Sequence, residues 1–206
     1  MLYRLDCDAA QLAERFGAVA GADPWSGGHV SPGRFAPVIT AGREFVAGPR
    51  GERQPRRVIP RLWGVPPPRS AFDQARGIAS VRNPDSPFWI GNLRNSEFRC
   101  LVPASACMEW GRASASTGKR RQLWIGASDQ DIFAFAGVWT DSEVPSFALL
   151  TCEAGAALRA EGLERMPVIL PRDPATHEAW LRADWDRAKR LIAPYASSLL
   201  SVSAAG

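Results

Sequence analysis

The stretch Arg99-Cys-Leu-Val-Pro103, which continues to Ala106-Cys-Met-Glu-Trp110, decides the fold of this chain. It contains two apolar runs of strand length with a short break between them, which predicts two neighbouring β-strands. Glu109 is the one carboxylate in the stretch. A carboxylate at the end of an apolar strand is either desolvated, with a raised pKa suited to acid–base chemistry, or paired with a cation. The same residues therefore indicate a core and a candidate site.

Short strand-like runs surround this stretch on both sides, and a few helical segments separate them. Further strands are predicted at Pro37–Thr40, Glu44–Val46, Val58–Trp63, Ile78–Arg82, Leu123–Ile125, Ile132–Trp139, Ser146–Cys152 and Pro167–Leu170. Helices are predicted over Asp8–Ala20, from Ser86, over Gly155–Glu161 and from Asp173 to Leu191. Leu123–Ile125 and Ile132–Trp139 flank a polar turn, so a hairpin is expected there.

This pattern of many short strands and few helices predicts the α+β class. The 206 residues are 46% hydrophobic, enough for one domain over residues 1–206 with a substantial core. We expect a strongly curved, barrel-like and mostly antiparallel sheet, flanked by a few helices.

Composition narrows the classes of partner. The net charge is +4, and 23 of the 25 basic residues are arginine, whose planar fork suits phosphate and stacks on bases. A GC-rich genome, which favours arginine codons, would give the same excess. Composition alone therefore does not decide between a nucleic-acid partner and codon bias. No apolar run reaches the ~20 residues of a membrane helix, and no leader pattern precedes the first helix. We expect a cytoplasmic monomer without membrane contact.

Metal and cofactor sites are not indicated. Cys7, Cys100, Cys107 and Cys152 lack metal-ligand spacing, and the chain has two histidines. The cysteines are expected to be buried, reduced thiols. His177, in the first turn of the last predicted helix, is expected to be solvated. We expect neither a metal nor a cofactor.

Three further motifs stand in a fixed order around the opening stretch: His29-Val-Ser-Pro-Gly33, Arg61-Leu-Trp-Gly64 and Arg165-Met-Pro-Val-Ile-Leu170. Together they resemble the SOS-response-associated peptidase (SRAP) family, also called abasic-site-processing proteins. The resemblance implies the barrel-like fold and binding to single-stranded DNA at abasic sites. In that family an N-terminal cysteine, exposed by removal of methionine, captures the sugar aldehyde as a DNA–protein crosslink. A glutamate and a histidine move protons, and arginines bind flanking phosphates.

The catalytic positions that the resemblance implies are only partly kept. Glu109, followed by Trp110, matches the catalytic glutamate. Leu2 stands at the nucleophile, Ser80 at the asparagine and Leu163 at the histidine. A second alignment deletes two residues after the initiator, and in neither alignment does a cysteine follow Met1. Leucine neither attacks an aldehyde nor transfers protons.

The DNA-facing positions that the resemblance implies are better preserved. They are Arg4, Arg82, Arg165, Trp63, Trp110 and Pro167. The arginines are expected to contact phosphates, and the aromatic rings offer stacking surfaces to unpaired bases, although core packing is the usual role of tryptophan.

Three hypotheses follow. The first is a protein that binds single-stranded DNA at abasic sites and has lost or altered the covalent step. The second is a lyase in which the α-amine of Met1 forms a Schiff base with the abasic aldehyde and Glu109 abstracts a proton. The third is a different pocket on the same fold, for a small molecule or a peptide. DNA binding predicts that Arg4, Arg82 and Arg165 converge on one groove with Glu109.

Overall fold

The structure is a computed structural model that describes residues 1–21, 23–42, 53–71, 73, 75–113 and 117–204. The predicted strand Glu44–Val46 lies outside these residues. In chain order the elements are β1 (Leu2–Leu5), α1 (Ala9–Phe16), β2 (Ala18–Ala20), β3 (Gly28–Val30), β4 (Phe35–Thr40), β5 (Arg56–Trp63), β6 (Ser80–Val81), α2 (Pro87–Arg94), β7 (Arg99–Ala104), β8 (Ala106–Ala113), β9 (Arg120–Ala127), β10 (Phe133–Thr140), β11 (Ser146–Glu153), α3 (Ala156–Ala160), β12 (Arg165–Pro167), β13 (Ile169–Leu170), α4 (Pro174–Arg182), α5 (Trp185–Lys189) and β14 (Leu200–Ala204). Short 3-10 turns lie at Ser96–Phe98 and Ser197–Leu199.

The larger sheet closes on itself. Its strands run β12-β11-β10-β7-β4-β5-β2, and β5 also pairs in parallel with β11. The path β4-β7-β10-β11-β5 therefore returns to its start and forms a small barrel. Closure removes free strand edges from these five strands, and their side chains fill the interior. The predicted α+β class with a strongly curved, barrel-like sheet is confirmed.

A second, antiparallel sheet packs beside the barrel in the order β14-β9-β8-β1-β3. Its inner face carries Tyr3 and Cys107, which are register partners and are almost fully buried. The Tyr3 ring lies 5.1 Å from that of Trp63 and 6.2 Å from that of Phe135, both on barrel strands. This aromatic contact joins the two sheets into one core.

The predicted hairpin of Leu123–Ile125 with Ile132–Trp139 is wrong. β9 pairs with β8 and β14 in the second sheet, whereas β10 pairs with β7, β11 and β13 in the barrel. The burial of each strand gives the physical reason. β10 is buried on both faces over most of its length, whereas the first three residues of β9, 120–122, are exposed. A strand that is apolar on both faces fits the barrel sheet, where both faces of the strand are covered.

The first helix is shorter than predicted. Asp8 caps it through a capping box with Gln11, as its position indicates. The helix ends at Gly17, whose φ of 57° is left-handed, so the chain turns away there. Residues Ala18–Ala20 form β2 instead, which pairs in parallel with β5 and leaves Val19 exposed.

The long C-terminal helix is broken into α4 and α5. Ala183 has an extended conformation, and Asp184 caps α5 by accepting the Arg187 amide. The buried guanidinium of Arg99 donates to the Ala183 carbonyl. In a continuous helix that carbonyl would accept a bond from a backbone amide instead. His177 is buried against Phe16 rather than solvated. None of the helices in the described part of the chain is both long and apolar enough to cross a membrane.

Candidate functional site

A cleft of about 580 Å³ opens where the end of the second sheet meets the barrel. Its walls come from the start of β1, from β8 and β9, from the segment leading into β6, and from the turn before β12. Eight of the residues predicted from sequence line it: Met1, Trp63, Ser80, Arg82, Glu109, Leu163, Arg165 and Pro167.

The centre of the cleft is an ion pair between two chain segments. The α-ammonium of Met1 lies 3.9 Å from Oε2 of Glu109, and the side chains are 12% and 23% exposed. The antiparallel register of β1 and β8, in which Leu2 faces Met108, brings Met1 level with Glu109. Burial raises the pKa of the Glu109 carboxyl above its ordinary value, although the Met1 ammonium and the Arg120 guanidinium act to lower it.

Leu2 does not face this cleft. Alternate residues of a strand point to opposite faces, so Leu2 lies on the outer face while Met1 and Tyr3 share the inner one. The position predicted for the nucleophile thus points away from Glu109. Met1 itself occupies the site.

Arg4 and Trp110 also lie on the outer face. Arg4 pairs with Asp6 at 2.7 Å, and its guanidinium lies 5.5 Å from the centre of the Trp124 ring. It lines a separate hollow of about 490 Å³. Trp110 is 42% exposed and does not line the cleft with Glu109. The expected convergence therefore includes Arg82 and Arg165 but not Arg4.

Arg165 is held by a network on the cleft wall. Its Nη2 donates to the Thr151 carbonyl at 2.7 Å and to the Arg82 carbonyl at 3.1 Å. Nε and Nη2 also donate to Thr151 Oγ1, at 3.1 and 3.0 Å. This network ties β12 to β11 and to the segment after β6. It fixes the backbone of Arg82, whose side chain is exposed at the cleft.

The base of the cleft is apolar. Leu163, at the expected histidine position, is 9% exposed, and Met166 is 2% exposed. Ser80 lies on β6, which pairs in parallel with β11. Trp63 is fully buried, with Nε1 donating to the Ala79 carbonyl, so it does not offer the stacking surface predicted for it. Pro167 is likewise buried in β12.

The model of the family described as SOS response associated peptidase (SRAP) matches residues 2–205. The chain belongs to the SRAP family. No match was found among curated proteins.

Solved structures share the fold of this SRAP chain. A protein from Bordetella bronchiseptica is 20% identical with a TM-score of 0.76, and the alignment covers 100% of this chain and 99% of that one. A Bacteroides thetaiotaomicron protein is 19% identical at a TM-score of 0.75, covering 98% and 90%. A phage-related protein from Bordetella bronchiseptica is 19% identical at 0.72, covering 99% and 93%.

Sequence reasoning missed Arg120, which lines the SRAP cleft beside Glu109. The doublet Arg120-Arg121 was its only signal, and the pattern does not show which of the two reaches the cleft. Arg76, in the loop after Trp63, lines the cleft as well. With Arg82 and Arg165 they give the cleft four guanidinium groups, which outnumber its two carboxylates, Glu109 and Glu164, and make the rim cationic.

The cysteines do not contribute to the SRAP cleft. Cys7, Cys100, Cys107 and Cys152 are buried and reduced. Burial raises the pKa of Cys7 and of Cys152 to about 11, which keeps these thiols protonated at neutral pH. Within the residues that the structure describes, no group of three or more His, Cys, Asp or Glu side chains could hold a metal ion.

Proposed function

We propose that this SRAP protein binds single-stranded DNA, with an abasic or unpaired nucleotide in the Glu109 cleft, and does not form the stable cysteine crosslink. The observation that carries the proposal is the convergence of four arginines, Arg76, Arg82, Arg120 and Arg165, on a cleft that holds two carboxylates, Glu109 and Glu164. A cleft with a cationic rim and an apolar base suits a nucleotide, because phosphates pair with the rim and the sugar or base fills the interior. Family membership supports a role linked to DNA damage.

The composition of the same cleft supports the proposed loss of the covalent step. Among the described residues that line it there is no cysteine, and Leu163 stands where a proton-transferring histidine is expected. Cys7 cannot take over the role of the missing nucleophile, because its thiol is buried and lacks an adjacent free amine. A thiol and a neighbouring amine are both needed to close a stable ring with an aldehyde. The proposal therefore predicts binding that denaturant reverses.

The test uses one single-stranded oligonucleotide with a single abasic site and an undamaged oligonucleotide of the same length. We expect a shift on native gels and no adduct on denaturing gels. Arg82→Ala should weaken the shift, while Arg94→Ala, which removes an exposed charge from α2, should not. An adduct that survives denaturant without a reducing agent would contradict the loss of covalent capture. No shift with either oligonucleotide would reject DNA and favour a small-molecule or peptide ligand.

A second candidate function is favoured by the ion pair of Met1 with Glu109. A neutral α-amine could attack the aldehyde carbon, lose water and form an iminium ion. Glu109 would then accept the C2′ proton, and β-elimination would expel the 3′ phosphate, as in an abasic-site lyase.

Borohydride distinguishes this candidate, because it reduces the iminium to a stable amine. Intact-mass measurement first establishes that the purified protein begins with Met1. Trapping with wild type, loss of strand cleavage with Glu109→Gln and retained trapping by that variant would support the lyase. Absence of a trapped adduct under conditions where native gels show binding would reject it and leave the binding function intact.

A further inference from the structure

The β8 strand changes register beside the cleft. Two of its residues, Gly111 and Arg112, stand opposite one residue of β9, Arg121, which makes a β-bulge. The Arg112 amide leaves the ladder and donates to the Glu161 carbonyl at 2.7 Å. The bulge therefore joins β8 to the turn that forms the opposite wall of the cleft.

Packing favours glycine at this bulge. A Cβ on Gly111 would lie 2.6 Å from Cδ1 of Leu123, so a larger residue would require the buried Leu123 side chain to shift. The close approach lets β8 bend next to Glu109 without displacing the core. Bulges of this kind commonly aim a side chain at the edge of a site.

The side chain aimed here is Arg120. Its Nε donates to the Gly111 carbonyl at 3.0 Å, and its Nη2 donates to the Trp110 carbonyl at 2.7 Å. The interrupted ladder makes these two carbonyls available to a side chain. A guanidinium has five N–H donors, and these bonds use two, so donors remain for a ligand in the cleft that Arg120 lines.

We propose that Arg120 is a phosphate-binding residue of the cleft, held by the β8 bulge so that it grips the backbone phosphate next to the nucleotide at Glu109. The assignment rests on the proposed function, in which single-stranded DNA is the ligand. Because two of its donors are already held, the Arg120 side chain loses less conformational entropy when a ligand binds. Its planar guanidinium still matches the geometry of phosphate oxygens.

The neighbouring arginine supplies a matched comparison. Arg121 pairs with Glu161 at 2.6 Å, is 54% exposed and does not line the cleft. The two residues are adjacent on the same strand and carry the same charge. Only Arg120 is fixed beside Glu109, where its charge also acts on the carboxyl. If β9 acted only through its overall positive charge, removal of either arginine would weaken DNA binding equally. If Arg120 contacts a phosphate, removal of Arg120 would weaken binding more than removal of Arg121.

The experiment measures the affinity of fluorescein-labelled single-stranded DNA as a function of salt for wild type, Arg120→Gln, Arg120→Lys and Arg121→Ala. Glutamine places an amide N–H where arginine has Nε, so it can still donate to the Gly111 carbonyl but lacks the charge, and it tests binding with that bulge contact kept. We expect Arg120→Gln to bind about tenfold more weakly and to lower the log–log salt slope by about 0.7, the value for one phosphate on a single strand. Arg120→Lys should recover part of the affinity, and Arg121→Ala should match wild type.

A second readout separates this inference from the proposed function. Inorganic phosphate should raise the melting temperature of wild type and Arg121→Ala but not that of Arg120→Gln. If wild type fails to bind DNA, the proposed function is rejected, and the phosphate result still decides whether Arg120 holds an anion. Equal salt slopes for wild type and Arg120→Gln, or equal phosphate stabilisation of the two, would overturn the assignment.

Discussion

Arg165→Ala should destabilise the protein as well as weaken DNA binding, because the side chain is a structural tie across the cleft wall. Its guanidinium contacts three acceptors: the Thr151 carbonyl, Thr151 Oγ1 and the Arg82 carbonyl. A hydrogen bond contributes about 1 kcal/mol net, and the bond to Arg82 is exposed, so the loss is about 2 kcal/mol of unfolding free energy. For a chain of this length that corresponds to a fall in Tm of roughly 4–8 °C.

Urea unfolding followed by circular dichroism measures the effect. Arg159→Ala is the control, because Arg159 is exposed on α3 and alanine preserves helix propensity. Arg165→Lys keeps the charge but loses the fork, so it should recover part of the DNA affinity without recovering stability. Unfolding curves of Arg165→Ala and Arg159→Ala that superimpose would refute the structural role and leave Arg165 as a phosphate contact alone.

DNA affinity should rise as the pH falls toward the pKa of Glu109, which burial raises above its ordinary value, because protonation of the carboxylate removes a negative charge that repels phosphate. Anisotropy titrations test this, and an unchanged trend in Glu109→Gln would assign it to another group. Burial lowers the pKa of His177 to about 4, so the unfolded chain binds the proton more readily, and up to about 3 kcal/mol of stability should be lost as the pH falls from about 6.5 to 4. His177→Gln should flatten that dependence in urea unfolding at several pH values, and an equally steep curve would point elsewhere. Cys7 and Cys152, with pKa values raised to about 11, should react slowly with a thiol reagent until the protein unfolds, and rapid labelling of the native protein would show that they are open to solvent.

Local pattern predicted the strands well where burial alone decides them. The apolar runs around Glu109 became β7 and β8, because their side chains must leave water wherever the chain folds. The same reasoning failed for the hairpin of β9 and β10. Turn chemistry shows that the chain reverses between them, but it does not show that they join different sheets.

The candidate site was predictable as a set of positions and less so as geometry. The family resemblance implied that Arg4, Arg82 and Arg165 share a groove with Glu109, and all but Arg4 line one cleft. It could not distinguish Met1 from Leu2, because a shift of one residue along a strand moves a side chain to the opposite face. Arg120 required knowledge of a bulge between two strands, which depends on pairing rather than on either sequence alone.

Arginine side chains serve as connectors between remote parts of the backbone. Arg56 donates to the Phe16 carbonyl, and Arg182 donates to the carbonyls of Ala41 and Gln54, across intervals of 40, 141 and 128 residues. Such arginines hold distant chain segments together. The number of arginines in the sequence therefore overstates how many can bind a partner. Guanidinium chloride presents the same chemical group in free form, so as a denaturant it competes directly for the carbonyls that hold this fold.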